Sequence, residues 1–259
     1  MKRMRKSVTV LMCLSLICTV HAAVIVNWEF NDKASGQACT LGERIIDSSG
    51  NGRDLYAGTG TDLPEYWDAN PLYGEGAAIN LGTGTDEMIF HAGYEFGDGG
   101  PAAGSAIVIG GTDSFTLETM VRLPKTNSSS TNYHSILQTP LESEKETFLR
   151  IRNNGNLEWV LDDGPGRMSM VAAVNLHDAQ WHHIAAVRDY AAGMAYLYVD
   201  YVQVASKIDP TTKDLTLATQ DWYIGSFFNT STREFNGSID FLRITEGVLS
   251  PYQFIRQRI

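Results

Sequence analysis

Trp181-His182-His183-Ile184, Tyr196-Leu197-Tyr198-Val199-Asp200, Ile224-Gly225 and Phe235-Asn236-Gly237-Ser238-Ile239-Asp240-Phe241-Leu242-Arg243-Ile244 follow one another through the last third of the chain. These segments alternate large apolar with polar residues, the period of two that sends successive side chains to opposite faces of a strand. Tyr196 and Tyr198 share one face, with Leu197 and Val199 on the other. Ile239, Phe241 and Arg243 oppose Asp240, Leu242 and Ile244, while Ile184, Ala186 and Arg188 oppose Ala185 and Val187, so the last of these strands expects burial on both sides. Gly or Asp falls at the ends, where turns form. The pattern describes interior strands of two packed layers rather than a catalytic site.

Similar runs recur from residue 24 onward: Val24 to Phe30, Ala77 to Leu81, Glu87 to His91, Ser105 to Ile109, Phe115 to Leu123, Ser135 to Gln138, Phe148 to Arg152, Leu157 to Leu161, Met168 to Val174, His182 to Arg188, Ala195 to Asp200, Tyr201 to Ser206, Gln220 to Ile224 and Ser238 to Ile244. No amphipathic stretch is long enough for a substantial helix; only Ser250-Pro251, a cap followed by Pro at a first helical position, predicts a closing helical turn or two. So many strands exceed a small barrel and predict an all-β chain, a two-sheet antiparallel sandwich. Gly82 to Gly84, Gly97 to Gly104 and Thr126 to Asn132 read as surface loops, and nothing has the composition of a flexible tether, so residues 23–259 count as one domain.

The first residues stand apart. Lys2, Arg3, Arg5 and Lys6 precede an apolar run from Val8 to Val20, and Val20-His21-Ala22 supplies small residues where a signal peptidase reads. That is a secretory signal peptide over residues 1–22, because the run is short of the roughly 20 apolar residues a bilayer span needs. The mature chain is expected to be secreted, periplasmic or on the cell surface, with no integral membrane span. Losing four basic residues takes the formal charge from −10 to −14, which repels nucleic acid and anionic membranes. Cys13 and Cys18 leave with the leader; Cys39 alone remains and is expected to be buried, so no internal disulfide forms.

Five separated motifs resemble the laminin-G-like modules with a concanavalin A-like jelly roll, in the subgroup common in exported bacterial proteins. They are Asn27-Trp28-Glu29-Phe30-Asn31-Asp32, Asp47-Ser48-Ser49-Gly50-Asn51-Gly52, Ser114-Phe115-Thr116-Leu117-Glu118, Trp181-His182-His183-Ile184-Ala185 and Phe235-Asn236-Gly237-Ser238-Ile239-Asp240. Their order and spacing cover nearly the whole mature chain. Where the family usually has Gly after Tyr-Val-Asp, this chain has Tyr201, which predicts a wider or strained hairpin.

The resemblance raises glycoside hydrolysis, which needs two carboxyl groups flanking one bond. A Glu-x-Asp-x-x-Glu arrangement on a strand is absent; Glu142, Glu144 and Glu146 alternate, but they follow Pro140 without aromatic neighbours and read as a solvated edge or loop. His182 and His183 point to opposite faces of one strand and cannot readily share an ion, so one is expected to be packed and the other exposed. The hard oxygens of Asp47-Ser48-Ser49-Gly50-Asn51-Gly52 suit Ca²⁺, and equally an Asx-rich turn that satisfies its own backbone. The resemblance implies Asp47, Asn51 and Asp240 as calcium ligands, with Asp32 a lesser one. Sugars stack on exposed rings, and Tyr66, Trp67 and Tyr133 stand among Gly, Pro, Asp and Asn, which makes them the candidate ligand-binding residues. The function expected is a noncatalytic exported module that recognises a glycan or an extracellular protein. A hydrolase of the same fold and a purely structural surface domain are the alternatives.

Overall fold

The computed structural model describes residues 22–57, 65–69, 77–81, 88–90, 106–125, 133–219, 221–225 and 235–256, without the side chains of residues 67–69, 80 and 88–90. Residues 1–21, read above as a leader, the Gly- and Ser-rich stretches 82–84, 97–104 and 126–132, read above as loops, and the aromatic residues Phe227 and Phe228 lie outside the described residues. In chain order the strands are β1 (Val24–Trp28), β2 (Gln37–Ala38), β3 (Arg44–Ile45), β4 (Leu55–Ala57), β5 (Glu65–Ala69), β6 (Ala77–Asn80), β7 (Met88–Phe90), β8 (Phe115–Arg122) and β9 (Tyr133–Gln138). They continue with β10 (Lys145–Arg152), β11 (Leu157–Asp163), β12 (Arg167–Ala172), β13 (Trp181–Asp189), β14 (Met194–Val199), β15 (Val202–Ile208), β16 (Trp222–Ile224) and β17 (Ser238–Glu246).

These strands form two sheets, and every described pair is antiparallel. Sheet A runs β15-β14-β13-β8-β17-β6-β5-β2, and sheet B runs β12-β11-β10-β9-β16-β7-β4-β3. The nine-residue β17 also pairs β1 through Leu242 to Thr245, beyond the stretch where Ser238 and Ile239 pair β6. Between the sheets lies one core that includes the fully buried Trp28, Trp159 and Trp222. Phe115 of sheet A meets Trp159 of sheet B edge to face, with centroids 6.2 Å apart, the arrangement that brings a positive ring edge to a negative ring face.

The alternation read from the sequence holds in sheet A. Ala195, Leu197 and Val199 face the core while Tyr196 and Tyr198 face away; Ile184 and Ala186 join the main core, and Ala185 and Val187 join a second apolar cluster on the far side. That second cluster exists because the chain after β17 folds back over the outer face of sheet A. Leu249 and Phe254 pack on Ala185 and Val187, and Ile255 packs on Met120 and Phe241. Of the closing turn or two expected there, a single turn forms, with Gln253 N donating to Ser250 O at 2.8 Å.

Three local expectations change. Residues 106–109 are irregular rather than a strand: Ile109 N donates to the Thr216 hydroxyl, which itself donates to Ile107 O, both at 3.1 Å, so a side chain replaces the ladder. Glu142 and Glu144 do lie in a turn, a two-residue hairpin with Ser143 and Glu144 at positive φ, but Glu146 belongs to β10. One histidine is packed as expected, His183, whereas the other, His182, is not free in solvent. Its Nδ1 lies 2.8 Å from Asp200 Oδ2 and its Nε2 3.1 Å from Asp178 Oδ1; the bond to Asp200, set against burial and joined by the bond to Asp178, holds its pKa above the ordinary histidine value.

The hairpin between β14 and β15 is strained as predicted, with φ of 50° at Asp200 and 68° at Tyr201. Glycine would adopt this conformation freely. Tyr201 offsets the strain through contacts: its ring stacks on His183 at 4.6 Å, its hydroxyl donates to Ile255 O at 3.1 Å, and Arg256 lies over it at 4.5 Å.

Candidate functional site

The outer face of sheet B differs from that of sheet A. Along β10, Leu149 and Ile151 enter the core, so Phe148, Arg150 and Arg152 face outward; along β11, Leu157, Trp159 and Leu161 enter it, so Glu158, Val160 and Asp162 face outward. A bulge in β9 opposite Leu149 and Arg150 turns both Ile136 and Leu137 to the core, as an extra residue in one strand does. Register then sets side chains in rows. Arg150 stands opposite Glu158 on one side and Ser135 on the other, Arg152 opposite Tyr133, Phe148 opposite Val160 and Gln138, and Glu146 opposite Asp162.

At the centre is a charged and aromatic constellation. Arg150 Nε donates to Glu158 Oε2 at 2.8 Å, and Arg152 reaches the same carboxylate through Nε at 3.1 Å and Nη2 at 2.7 Å. The Arg150 guanidinium lies 3.7 Å from the Tyr133 ring centre and 4.1 Å from that of Phe148. Planar cations favour ring faces in this way, more so out of water. Burial pushes the Glu158 carboxyl up, but the hydrogen bonds and charges of Arg152 and Arg150 outweigh it and hold the group below its ordinary value. One turn of the pleat away, Gln138 Nε2 donates to Glu146 Oε1 at 3.1 Å, and Arg167 bonds Asp162 and approaches Glu146 at 3.6 Å.

A glycosidic acid catalyst must hold its proton near neutral pH, which requires a raised pKa. The carboxylate at the heart of this face is shifted the other way.

Of the aromatic candidates, only Tyr133 joins this face, half-buried beside Arg150. Tyr66 is fully buried in the core on sheet A, so it offers no stacking surface. Trp67 follows it in β5, opposite Ala78, and its side chain lies outside the described residues. Nothing in the spacing of Tyr66, Trp67 and Tyr133 reveals that the first two sit in the opposite sheet from the third. Sequence reading missed Arg150, Arg152 and Glu158. A signal was present: charged residues at every second position inside otherwise apolar strands, which a solvated loop would not require.

The Asp47 loop closes on itself. Asp47 Oδ1 accepts from Asn27 N and Ser49 N, both at 3.0 Å, and Oδ2 accepts from Arg53 N at 3.1 Å. Asn51 donates its amide to Val24 O and Ile25 O at 2.9 and 3.0 Å, and the Arg53 guanidinium also bonds Ile25 O. Asp240 is fully buried on β17. Among the described residues no group of three or more His, Cys, Asp or Glu gathers as a metal centre. With its carboxylate turned to backbone N–H groups and a guanidinium at the carbonyls, this donor set does not fit Ca²⁺ as arranged; it fits the Asx-rich turn that pins β1. Asp47→Ala is therefore expected to cost about 2–3 kcal/mol, since three N–H donors lose their acceptor. The melting temperature of the native chain is expected to be the same in calcium and in chelator; a rise of several degrees in calcium, abolished by Asp47→Ala, would restore the metal reading.

Comparison with known proteins agrees with this architecture. Domain 4 of AbnA, an extracellular GH43 arabinanase from Geobacillus stearothermophilus, solved with arabinotriose, superposes with a TM-score of 0.60 at 19% identity, covering 90% of this chain and 96% of that one. The ligand-binding domain of botulinum neurotoxin serotype D, solved with N-acetylneuraminic acid, gives 0.60 at 17% identity over 89% of this chain and 49% of that one. The binding domain of Paraclostridial mosquitocidal protein 1 gives 0.61 at 14% identity, covering 89% and 50%. At these identities the likeness is one of fold, and the chain spans about half the length of the toxin domains. No curated protein matches the chain by sequence. The family model for the concanavalin A-like lectin/glucanases superfamily matches residues 96–253, more than half of the chain and all the strands that build the charged face, and the chain therefore belongs to that superfamily.

Proposed function

We propose that this protein is an exported, noncatalytic carbohydrate-binding module whose ligand lies on the outer face of β9, β10, β11 and β12. The observation that carries the reading is the Arg150 constellation: a guanidinium over the Tyr133 and Phe148 rings, ordered by Glu158. Sugars are bound by such combinations of aromatic faces and fixed hydrogen-bonding groups. The outer face of sheet A is occupied by the chain's own C-terminal segment; on the outer face of sheet B, Tyr133, Arg152, Arg167 and Val171 reach solvent, while Phe148 and Glu158 are buried. Structural neighbours that are binding domains, one of them solved with arabinotriose, support the same reading. The basic and apolar leader supports export.

The test is a glycan array probed with the chain beginning at Ala23. Retention of a defined sugar class is expected, and Tyr133→Ala should weaken it about tenfold, the order of one lost cation–aromatic and stacking contact. Incubation with the retained glycan should release no reducing ends. Release would overturn the noncatalytic assignment, and an array with no retained glycan would overturn the carbohydrate one.

A further inference from the structure

We propose that His182 is a pH-sensitive latch: as an imidazolium it ties the chain before β13 to the hairpin between β14 and β15, and on losing its proton it loosens that hairpin and the C-terminal segment that Tyr201 holds.

The geometry calls for two donors on one ring. His182 Nδ1 lies 2.8 Å from Asp200 Oδ2, and Nε2 lies 3.1 Å from Asp178 Oδ1. A carboxylate only accepts, and an imidazole carries N–H on both nitrogens only when it is protonated. A neutral ring would turn a lone pair on one of the two acids. The His182 side chain is 13% exposed, whereas those of Asp178 and Asp200 are 36% and 52% exposed, so both acids stay ionised at neutral pH while the ring between them is largely shielded. The neighbouring charges are turned elsewhere: His183 to Glu118, Arg122 over the Trp181 ring, and His177 to the carbonyls of Pro124 and Arg152.

What the latch holds is a strained turn. Asp200 N donates to His183 O at 2.8 Å and Asp200 Oδ1 accepts from His183 N at 3.0 Å, while Asp200 and Tyr201 both sit at positive φ. Residues other than glycine keep such a conformation only where their surroundings enforce it. Tyr201 in turn stacks on His183 and donates its hydroxyl to Ile255 O at 3.1 Å. Direct contacts thus run from His182 through Asp200 and Tyr201 to the segment whose Leu249 and Phe254 cover Ala185 and Val187 on the outer face of sheet A.

The sense of the switch follows from which form the fold prefers. The bond to Asp200, opposed by burial and joined by the bond to Asp178, favours the proton and raises the pKa of His182. The stability the latch contributes is therefore complete below the unfolded histidine value, about 6.5, and is lost as pH rises through the higher folded value. Glu118, held below its ordinary value, stays ionised over that range, so its own loss in acid does not overlap.

Imidazole nitrogen shifts and amide exchange, followed by NMR on the native chain from pH 5.5 to 9, test the latch. Both His182 nitrogens are expected to keep their protons beyond pH 6.5, the approximate midpoint of an unperturbed histidine. Protection at the amides of Asp200 and Ile255, corrected for intrinsic base catalysis, should fall about threefold to fivefold across that titration, the order of one partly exposed ion pair. Asp178→Asn should move the His182 titration to lower pH, and His182→Gln should leave protection low and independent of pH. His177→Gln should leave the pH dependence in place. If the His182→Gln variant does not fold, the native chain and Asp178→Asn carry the test. A His182 that titrates as an ordinary histidine would overturn the inference, and so would protection at Asp200 and Ile255 that does not follow its titration.

Discussion

Arg188→Ala will destabilise the fold by about 3–5 kcal/mol, the range for removing one partner of a buried ion pair. Arg188 is fully buried, and all its donors are used. Nε bonds Asp209 Oδ2 at 2.7 Å, Nη1 bonds Gly111 O and Asp113 O at 3.1 and 2.7 Å, and Nη2 bonds Thr211 O and its hydroxyl at 2.9 and 3.1 Å. One side chain thereby ties β13 to the loop entering β8 and to the chain leaving β15. Without it, the buried Asp209 carboxylate and three carbonyls lose their partner. For a domain of this size each kcal/mol shifts the melting temperature by about 2–4 °C, so a fall of about 6–20 °C is expected in thermal unfolding. A shift under 3 °C would show that water replaces the guanidinium. Arg188→Met should be nearly as damaging, because it keeps the stem and loses the donors.

Glu118→Ala is expected to cost about 2–4 kcal/mol, slightly less because its partner Arg243 is partly exposed. Glu118 is fully buried beneath the C-terminal segment. Oε1 accepts from Ile255 N at 2.8 Å and faces His183 Nε2 at 3.2 Å, and Oε2 accepts from Arg243. Burial raises the carboxyl, but His183 and Arg243 outweigh it and set the folded value below the ordinary one. Its contribution to stability is then present above the unfolded glutamate value, about 4.3, and is lost as pH falls through the folded value. The gap in melting temperature between native chain and variant should be widest near neutral pH and close in acid. A gap that stays constant from pH 7 to pH 3 would mean that the ion pair carries none of it. Loss of Glu118 should also loosen the C-terminal segment, visible as faster amide exchange at Ile255.

The alternation of Tyr196 to Val199 and of Ile184 to Arg188 was enough to orient those strands, because a period of two leaves only one way to bury an apolar face. The family was legible through a resemblance carried by five motifs spread from Asn27 to Asp240, not through periodicity. Short strands escaped: β2 and β3 have two residues each and β4 three, too few for a period to show. The candidate site was legible only in part. Tyr133 was identified by its polar surroundings, yet the same criterion chose Tyr66, which is core, because sequence neighbours report where the chain turns and not which way a ring points. Arg150 and Glu158 are eight residues apart in sequence and meet across a hairpin. Residue types alone mark such a pair as solvated charges.

By itself the sequence determined the fold class, the facing of the long strands and the charge of the chain, which follow from local periodicity and composition, and the resemblance to the family added the strained hairpin at Tyr201. The tertiary structure decided what pairing and burial control: the Asp47 loop spends its oxygens on backbone donors, the C-terminal segment closes the outer face of sheet A, and strand register brings Tyr133, Phe148, Arg150 and Glu158 together on sheet B. Those contacts link residues distant in the chain or set by cross-strand register, and their energies depend on exclusion from water, which no stretch of sequence specifies until the two sheets are packed.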